Sequence, residues 1–196
     1  MKNGASIKNG TINHTGNTAA IKAWNVDAIE DVVINVTPTD GKVKGGIVIQ
    51  SGADSQIGLL KNVTITGATN GIETYECGWT DETPAIVAME NVNIDATDTG
   101  IILSAHIGKA TKCQIKGANY GINMHLKGEF KIGIELEECT VTGTTASIWG
   151  HDEVGISNTT NCSCTLTYDA ATVLNGPFVW DFEEECQSVV TLNQPL

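Results

Sequence analysis

The chain has 196 residues, a length typical of a single domain. Its 23 acidic side chains outnumber 11 basic ones, all of them lysines, and the formal net charge is −12. Nucleic-acid binding needs basic patches, so this balance excludes that class of function. The negative charge also disfavours a strongly anionic polymer such as polygalacturonate, and no apolar run reaches the length of a membrane span.

Residues 1–7 lack the apolar region of a secretory signal peptide and lead directly into the patterned sequence. We therefore interpret Met1 as an introduced start, and the chain as a piece of a longer protein.

A short apolar pattern then recurs along the chain at intervals of 21 to 31 residues. Seven segments share it: Gly10-Thr11-Ile12, Val32-Val33-Ile34, Val63-Thr64-Ile65, Val92-Asn93-Ile94, Cys113-Gln114-Ile115, Cys139-Thr140-Val141 and Cys164-Thr165-Leu166. In the last five, another apolar residue follows seven positions later: Ile72, Ile101, Ile122, Ile148 and Val173. A small residue nearly always precedes it. Period-two alternation between Gly, Asn, Thr and Asp turns predicts an all-β solenoid.

The run Leu60-Lys61-Asn62-Val63-Thr64-Ile65-Thr66-Gly67 resembles the right-handed parallel β-helix, or pectate-lyase-like, superfamily. In that family an Asn marks the corner between the second and third strands of a coil. Asn9, Asn62 and Asn91 match it, whereas Asp31, Lys112 and Glu138 depart from it and predict a broken Asn ladder.

The resemblance covers roughly residues 5–176 and implies a right-handed parallel β-helix solenoid of about seven coils. We predict that residues 1–176 form the coils. Residues 177–196 leave the repeat, and we predict that they form a C-terminal capping segment of the same domain. Within one coil, 58–61 is the second strand and 63–66 the third, and 71–76 is the first strand of the next coil. Ile72 and Thr74 are expected to point inward.

Six cysteines permit up to three disulfide bonds. Cys113, Cys139 and Cys164 align with the inward Val63 and Val92. Coils about 4.8 Å apart are close enough for a disulfide. We favour a column of small buried side chains, and leave the oxidation state open.

The outward face of the first strands is the candidate site. Its positions are, coil by coil, Lys22 and Trp24, Val48 and Gln50, Glu73 and Tyr75, Ile102 and Ser104, Asn123 and His125, and Trp149 and His151. Aromatic rings pack on the C–H faces of sugars, while amides, carboxylates and imidazoles bond hydroxyls, so this pattern favours carbohydrate. The alternative is that the rings lie under loops as part of the core.

We predict that Trp24, Tyr75 and Trp149 stack on sugar rings and that Trp79 forms a loop wall. Gln50, Glu73, Asn123, His125 and His151 would bond hydroxyl groups.

No catalytic residues, metal or cofactor are predicted. Lys22 has no acidic partner in its strand, and Glu73 lies three coils, or roughly 14 Å, from Asp152. Paired glycosidase carboxylates are about 5–10 Å apart. The His125–His151 column has no aligned third metal ligand.

The chain looks like the β-helix modules attached to bacterial enzymes that degrade plant polysaccharides. The resemblance implies a secreted or cell-surface, monomeric, non-catalytic carbohydrate-binding module. It would bind a neutral β-1,4-linked hemicellulose, xylan being the specific expectation, and would target an attached glycoside hydrolase. The alternatives are an active polysaccharide hydrolase or lyase, and a spacer segment of a bacterial surface adhesin.

Overall fold

The computed structural model describes residues 4–39, 45–49, 55–75, 84–126, 131–152, 163–182 and 190–193. These residues form β-strands and no helix, and all the strand pairs described between them are parallel. The prediction of an all-β fold is therefore confirmed. No helix in these ranges is long and apolar enough to cross a membrane.

One parallel sheet, called row A, has seven strands. In spatial order they are β2 (Ile21–Ala23), β4 (Gly45–Ile49), β6 (Asn70–Thr74), β9 (Thr99–Leu103), β12 (Tyr120–Leu126), β15 (Ala146–Asp152) and β18 (Phe178–Asp181). Each strand pairs with the row A strand before it in the chain, so the row grows in sequence order.

The second sheet has twelve strands and begins with three long ones, β1 (Ala5–Gly16), β3 (Val26–Pro38) and β5 (Ile57–Thr66). Two arms extend from β5. Row B continues its first half with β7 (Ile86–Glu90), β10 (Ile107–Thr111), β13 (Lys131–Glu137), β16 (Ser163–Tyr168) and β19 (Val190–Asn193). Row C continues its second half with β8 (Asn93–Ala96), β11 (Gln114–Gly117), β14 (Thr140–Thr142) and β17 (Val173–Asn175). A trio such as β6–β8, one strand from each row, is here called a layer.

The boundary between rows B and C has left-handed backbone in six successive layers. The residues there have φ between 51° and 57°: Asn9, Asp31, Asn62, Asn91, Lys112 and Glu138. Asn62 donates a hydrogen bond to Asp31 (2.8 Å) and Asn91 donates one to Asn62 (2.8 Å). Asp31 thus accepts the hydrogen bond from Asn62 in place of an Asn, but an ionised carboxylate has no hydrogen to donate to the next layer. The predicted break at Lys112 and Glu138 stays a prediction.

The core lies between the rows. It consists of columns in which equivalent residues of successive layers stack on one another. Ile47, Ile72, Ile101, Ile122 and Ile148 stack in row A with no exposed surface. Row C stacks Ile34, Ile65, Ile94, Ile115 and Val141. Burial of each such side chain contributes about 1.5–3 kcal/mol. The inward assignment of Ile72 and Thr74 is confirmed.

The prediction for the seventh repeat is wrong. Cys164 and Leu166 pair with Ile132 and Ile134 in row B, whereas Val141 pairs with Leu174 in row C. The inward row A position after Ile148 is Phe178, not Val173. Both rows alternate with the same period, so the Cys-Thr-apolar pattern of row C also fits a row B strand.

Segment 177–196, predicted as a cap, begins with a strand of row A. Phe178–Asp181 pairs in parallel with β15. Phe178 and Trp180 pack against the core, and Phe182 belongs to it. Whether the segment acts as a cap stays a prediction.

Small residues before the inward Ile are explained by close contact between layers. A Cβ on Gly100 would lie 2.5 Å from the carbonyl oxygen of Gly121 and 2.7 Å from Cγ2 of Ile115. Carbonyl oxygens held in a parallel ladder cannot move away without breaking hydrogen bonds, so these positions exclude larger side chains.

We expect Gly100→Ala to lower the free energy of unfolding by about 1–3 kcal/mol, the usual cost of overpacking. Gly10→Ala is the matched control, since a Cβ there would have no neighbour within 4 Å. Urea denaturation followed by circular dichroism measures both. Equal stability of the two variants would contradict the close-contact explanation.

Candidate functional site

The predicted outward residues that fall within the paired strands of row A lie in register with one another. Glu73 pairs with Val48 on one side and Ile102 on the other, and Asn123 pairs with Trp149. Because alternate residues of a strand point to opposite faces, the buried Ile column fixes this face as the outer one.

At the β12–β15 end of this face, four rings form a continuous stack. The Trp149 ring centroid lies 4.8 Å from that of Tyr120 and 4.0 Å from that of His151. The His151 ring in turn lies 4.4 Å from His125. All three pairs are within 21° of parallel. This Tyr120–Trp149–His151–His125 group is called the ring cluster, and all four side chains are half-buried.

A hydrogen bond fixes the orientation of one imidazole in the ring cluster. His151 Nε2 lies 2.9 Å from Asn123 Oδ1. If this oxygen is the acceptor, Nε2 bears the proton. Burial lowers the pKa of His151, and the nearby Asp152 and Asp181 oppose that shift. The site therefore combines apolar ring surface with an amide, an imidazole and carboxylates.

A second polar group surrounds Glu73 on β6. This carboxylate is only 3% exposed; it accepts hydrogen bonds from Asn70 Nδ2 (2.8 Å) and from the Tyr75 hydroxyl. Burial, and then the bond to Glu73, raise the pKa of Tyr75. Within the described part of the chain, Oδ1 of Asn70, a residue only 1% exposed, has no hydrogen-bond partner. Glu73 is thus a positioned, buried acceptor rather than a freely exposed carboxylate.

The structure brings together some predicted site residues and separates others. Asn123, His125, Trp149 and His151 are neighbours, and Glu73 and Tyr75 form the second group. Strand β9 lies between these two groups, with Ser104 buried and Ile102 half-buried. Trp24, 40% exposed, follows β2 at the opposite end of row A, four strand spacings or about 19 Å from β12. Gln50 and Trp79 lie outside the described residues.

Sequence reasoning missed four residues that lie beside the predicted ones. Tyr120 and Asn70 occupy one column, two positions before the inward Ile, where Gly45, Thr99 and Ala146 also lie. A scan of that position for large or polar side chains would have found them. Val179 and Asp181 pair with Trp149 and His151, and were missed because β18 was assigned to the cap.

The chain matches no protein-family model, no curated protein and no solved structure. Among the residues of the described ranges, no three His, Cys, Asp or Glu side chains are placed to hold a metal ion.

We expect NMR titration to give His151 a pKa below 6.5, because burial disfavours the imidazolium. Between that pKa and 6.5 the unfolded chain binds more protons than the folded one. His151 thus makes the free energy of unfolding rise with pH through this window, and that stability is lost as the pH falls. His151→Gln should reduce this slope. A His151 pKa at or above 6.5 would contradict the assignment.

Proposed function

We propose that the chain is a right-handed parallel β-helix of about seven coils that acts as a non-catalytic carbohydrate-binding module. The succession of rows A, B and C, repeated layer after layer, supports the solenoid. The left-handed corner between rows B and C supports it further, since the sequence resembles a family with Asn at that corner.

The observation that favours carbohydrate is the ring cluster. The outer face of an ordinary sheet bears small polar or charged side chains, whereas this one concentrates four rings on two neighbouring strands. Half-exposed aromatic surface of this kind marks binding sites. Ring edges and faces can pack on sugar C–H groups, while Asn123 and His151 offer hydrogen bonds to hydroxyls.

The charge of the face supports a neutral glycan. Asp181 pairs with His151 at the end of row A, and Asp152 follows His151 directly. With a net charge of −12, the protein would repel a polyuronate. We therefore propose a β-1,4-linked hemicellulose, specifically xylan, whose extended chain would run across the strands of row A.

The remaining parts of this proposal rest on the resemblance. A module of this kind holds an attached glycoside hydrolase close to its polymer, which raises the local substrate concentration. The proposal thus includes a covalently linked hydrolase, a monomeric module and an extracellular or cell-surface location.

We expect Trp149→Ala, and separately Tyr75→Ala, to weaken xylohexaose binding by more than about 1 kcal/mol, as truncation of an aromatic anchor does. Isothermal titration calorimetry measures this. Val87→Ala is the control, because Val87 is 42% exposed on row B, away from the ring cluster.

Circular dichroism of each variant separates loss of binding from loss of fold, and Trp149→Phe provides a milder change at the same position. Unchanged affinity in both folded alanine variants would contradict the site. No glycan affinity in the unmodified protein would contradict the function, and would instead favour the adhesin spacer.

We also expect no reducing sugar to be released when the protein is incubated with xylan, xyloglucan, mannan or pectin. Glu73, the buried acceptor of this face, is bonded to Asn70 and Tyr75 and has no second carboxylate among the described partners of its side chain. If the unmodified protein releases reducing sugar continuously and the Glu73→Gln variant does not, the hydrolase or lyase alternative is favoured instead.

A further inference from the structure

Two buried cysteines lie directly above one another in neighbouring layers. Just before the two cysteines in the chain, Thr111 pairs with Glu137. Just after them, Gln114 pairs with Thr140. The register therefore places Cys113 against Cys139. Each is 1% exposed, and each is a free thiol.

The hydrogen bonds around the pair hold it in this register. Lys112 N–H donates to the Glu137 carbonyl (2.9 Å) and Thr140 N–H donates to the Cys113 carbonyl (2.8 Å). Between them, Cys113 N–H donates to the sulfur of Cys139 at 3.4 Å. The Cys139 sulfur thus points toward the layer that contains Cys113.

The distances suit a covalent bond. Paired positions in a parallel sheet are about 4.8 Å apart, within the range of about 4.4–6.8 Å between the Cα atoms of disulfide-bonded cysteines. Cys113 Sγ lies 3.8 Å from the Met89 carbonyl oxygen, on its other side. The Cys113 sulfur therefore has to turn from the Met89 side toward Cys139 before an S–S bond can form.

We propose that Cys113 and Cys139 form a disulfide bond between neighbouring layers when the protein meets a two-electron thiol oxidant. Both S–H bonds break and one S–S bond forms. The two electrons and two protons pass to the oxidant, and with diamide they reduce its N=N bond to a hydrazine.

The electrostatics of the pair favour Cys139 as the attacking thiolate. The Cys139 sulfur accepts a hydrogen bond from the Cys113 N–H at 3.4 Å, and a hydrogen bond to a sulfur favours its thiolate form. The thiolate is the reactive form of a cysteine. The bond would close a loop that contains β12, with Tyr120, Asn123 and His125 of the outer face, but it does not depend on the proposed function.

Peptide mapping of the full chain tests the proposal. Native protein is treated with diamide, alkylated, and digested with trypsin and an endoproteinase that cleaves after Glu, without reduction. Cleavage after Lys112, Lys116, Glu138 and Glu153 separates Cys139 from the other cysteines near the carboxyl terminus. We expect the linked peptides 113–116 and 139–153.

Two variants give the matched comparison. Cys113→Val should abolish the link and still fold, because Val63 and Val92 occupy the same column. Cys164→Val should leave the link intact, since Cys164 pairs with Ile132 rather than with a cysteine. Oxidation should raise the melting temperature of the unmodified protein by roughly 5–10 °C, and that of Cys113→Val not at all.

Recovery of Cys113 and Cys139 as separately alkylated peptides would overturn the proposal, provided that diamide links the thiols of the urea-unfolded chain. A native link from either residue to a different cysteine would overturn it as well.

Discussion

The structure depends on parallel, in-register hydrogen bonding between successive layers. Such pairing places equivalent positions about 4.8 Å apart, so each position must tolerate a similar residue directly above and below it. Ile stacks on Ile in the core, and Asn91 donates to Asn62 at the corner. Ion pairs such as Lys61–Glu90 (2.7 Å) and Lys116–Asp95 (2.9 Å) link layers on the exposed side. These exposed ion pairs add little stability. In the observed register, however, each places a positive side chain beside a negative one in the neighbouring layer.

The same constraint produces the candidate site. The alternation that buries Ile122 and Ile148 turns Asn123 and Trp149 outward. In-register stacking then places His125 of one strand beside His151 of the next. Tyr120 joins these rings from a different column. Two adjacent layers thus concentrate aromatic surface and hydrogen-bonding groups at one end of this face.

Much of this organisation followed from short patterns in the sequence. The left-handed corner at Asn62 and the inward Ile72 could be predicted, because each depends on local alternation or backbone preference. The two strands predicted at 58–61 and 63–66 are one continuous strand, Ile57–Thr66, that turns at Asn62. The prediction for the seventh repeat was wrong at Cys164. Buried and exposed residues alternate in the same way in rows B and C, so only the strand pairing distinguishes the two rows. At Asp31 the sequence pattern did not reveal that the carboxylate accepts a hydrogen bond from Asn62, because that contact depends on the pairing of β3 with β5.

The sequence by itself determined the alternation of buried and exposed residues, the repeat and the absence of basic patches. These properties come from the chemistry of each residue and its near neighbours in the chain. Only the tertiary structure decided that Tyr120 joins Trp149, that Glu73 is buried between Asn70 and Tyr75, and that Cys113 faces Cys139 but not Cys164. These contacts depend on which strand lies beside which, and turns of variable length leave that register open until the hydrogen bonds between layers form.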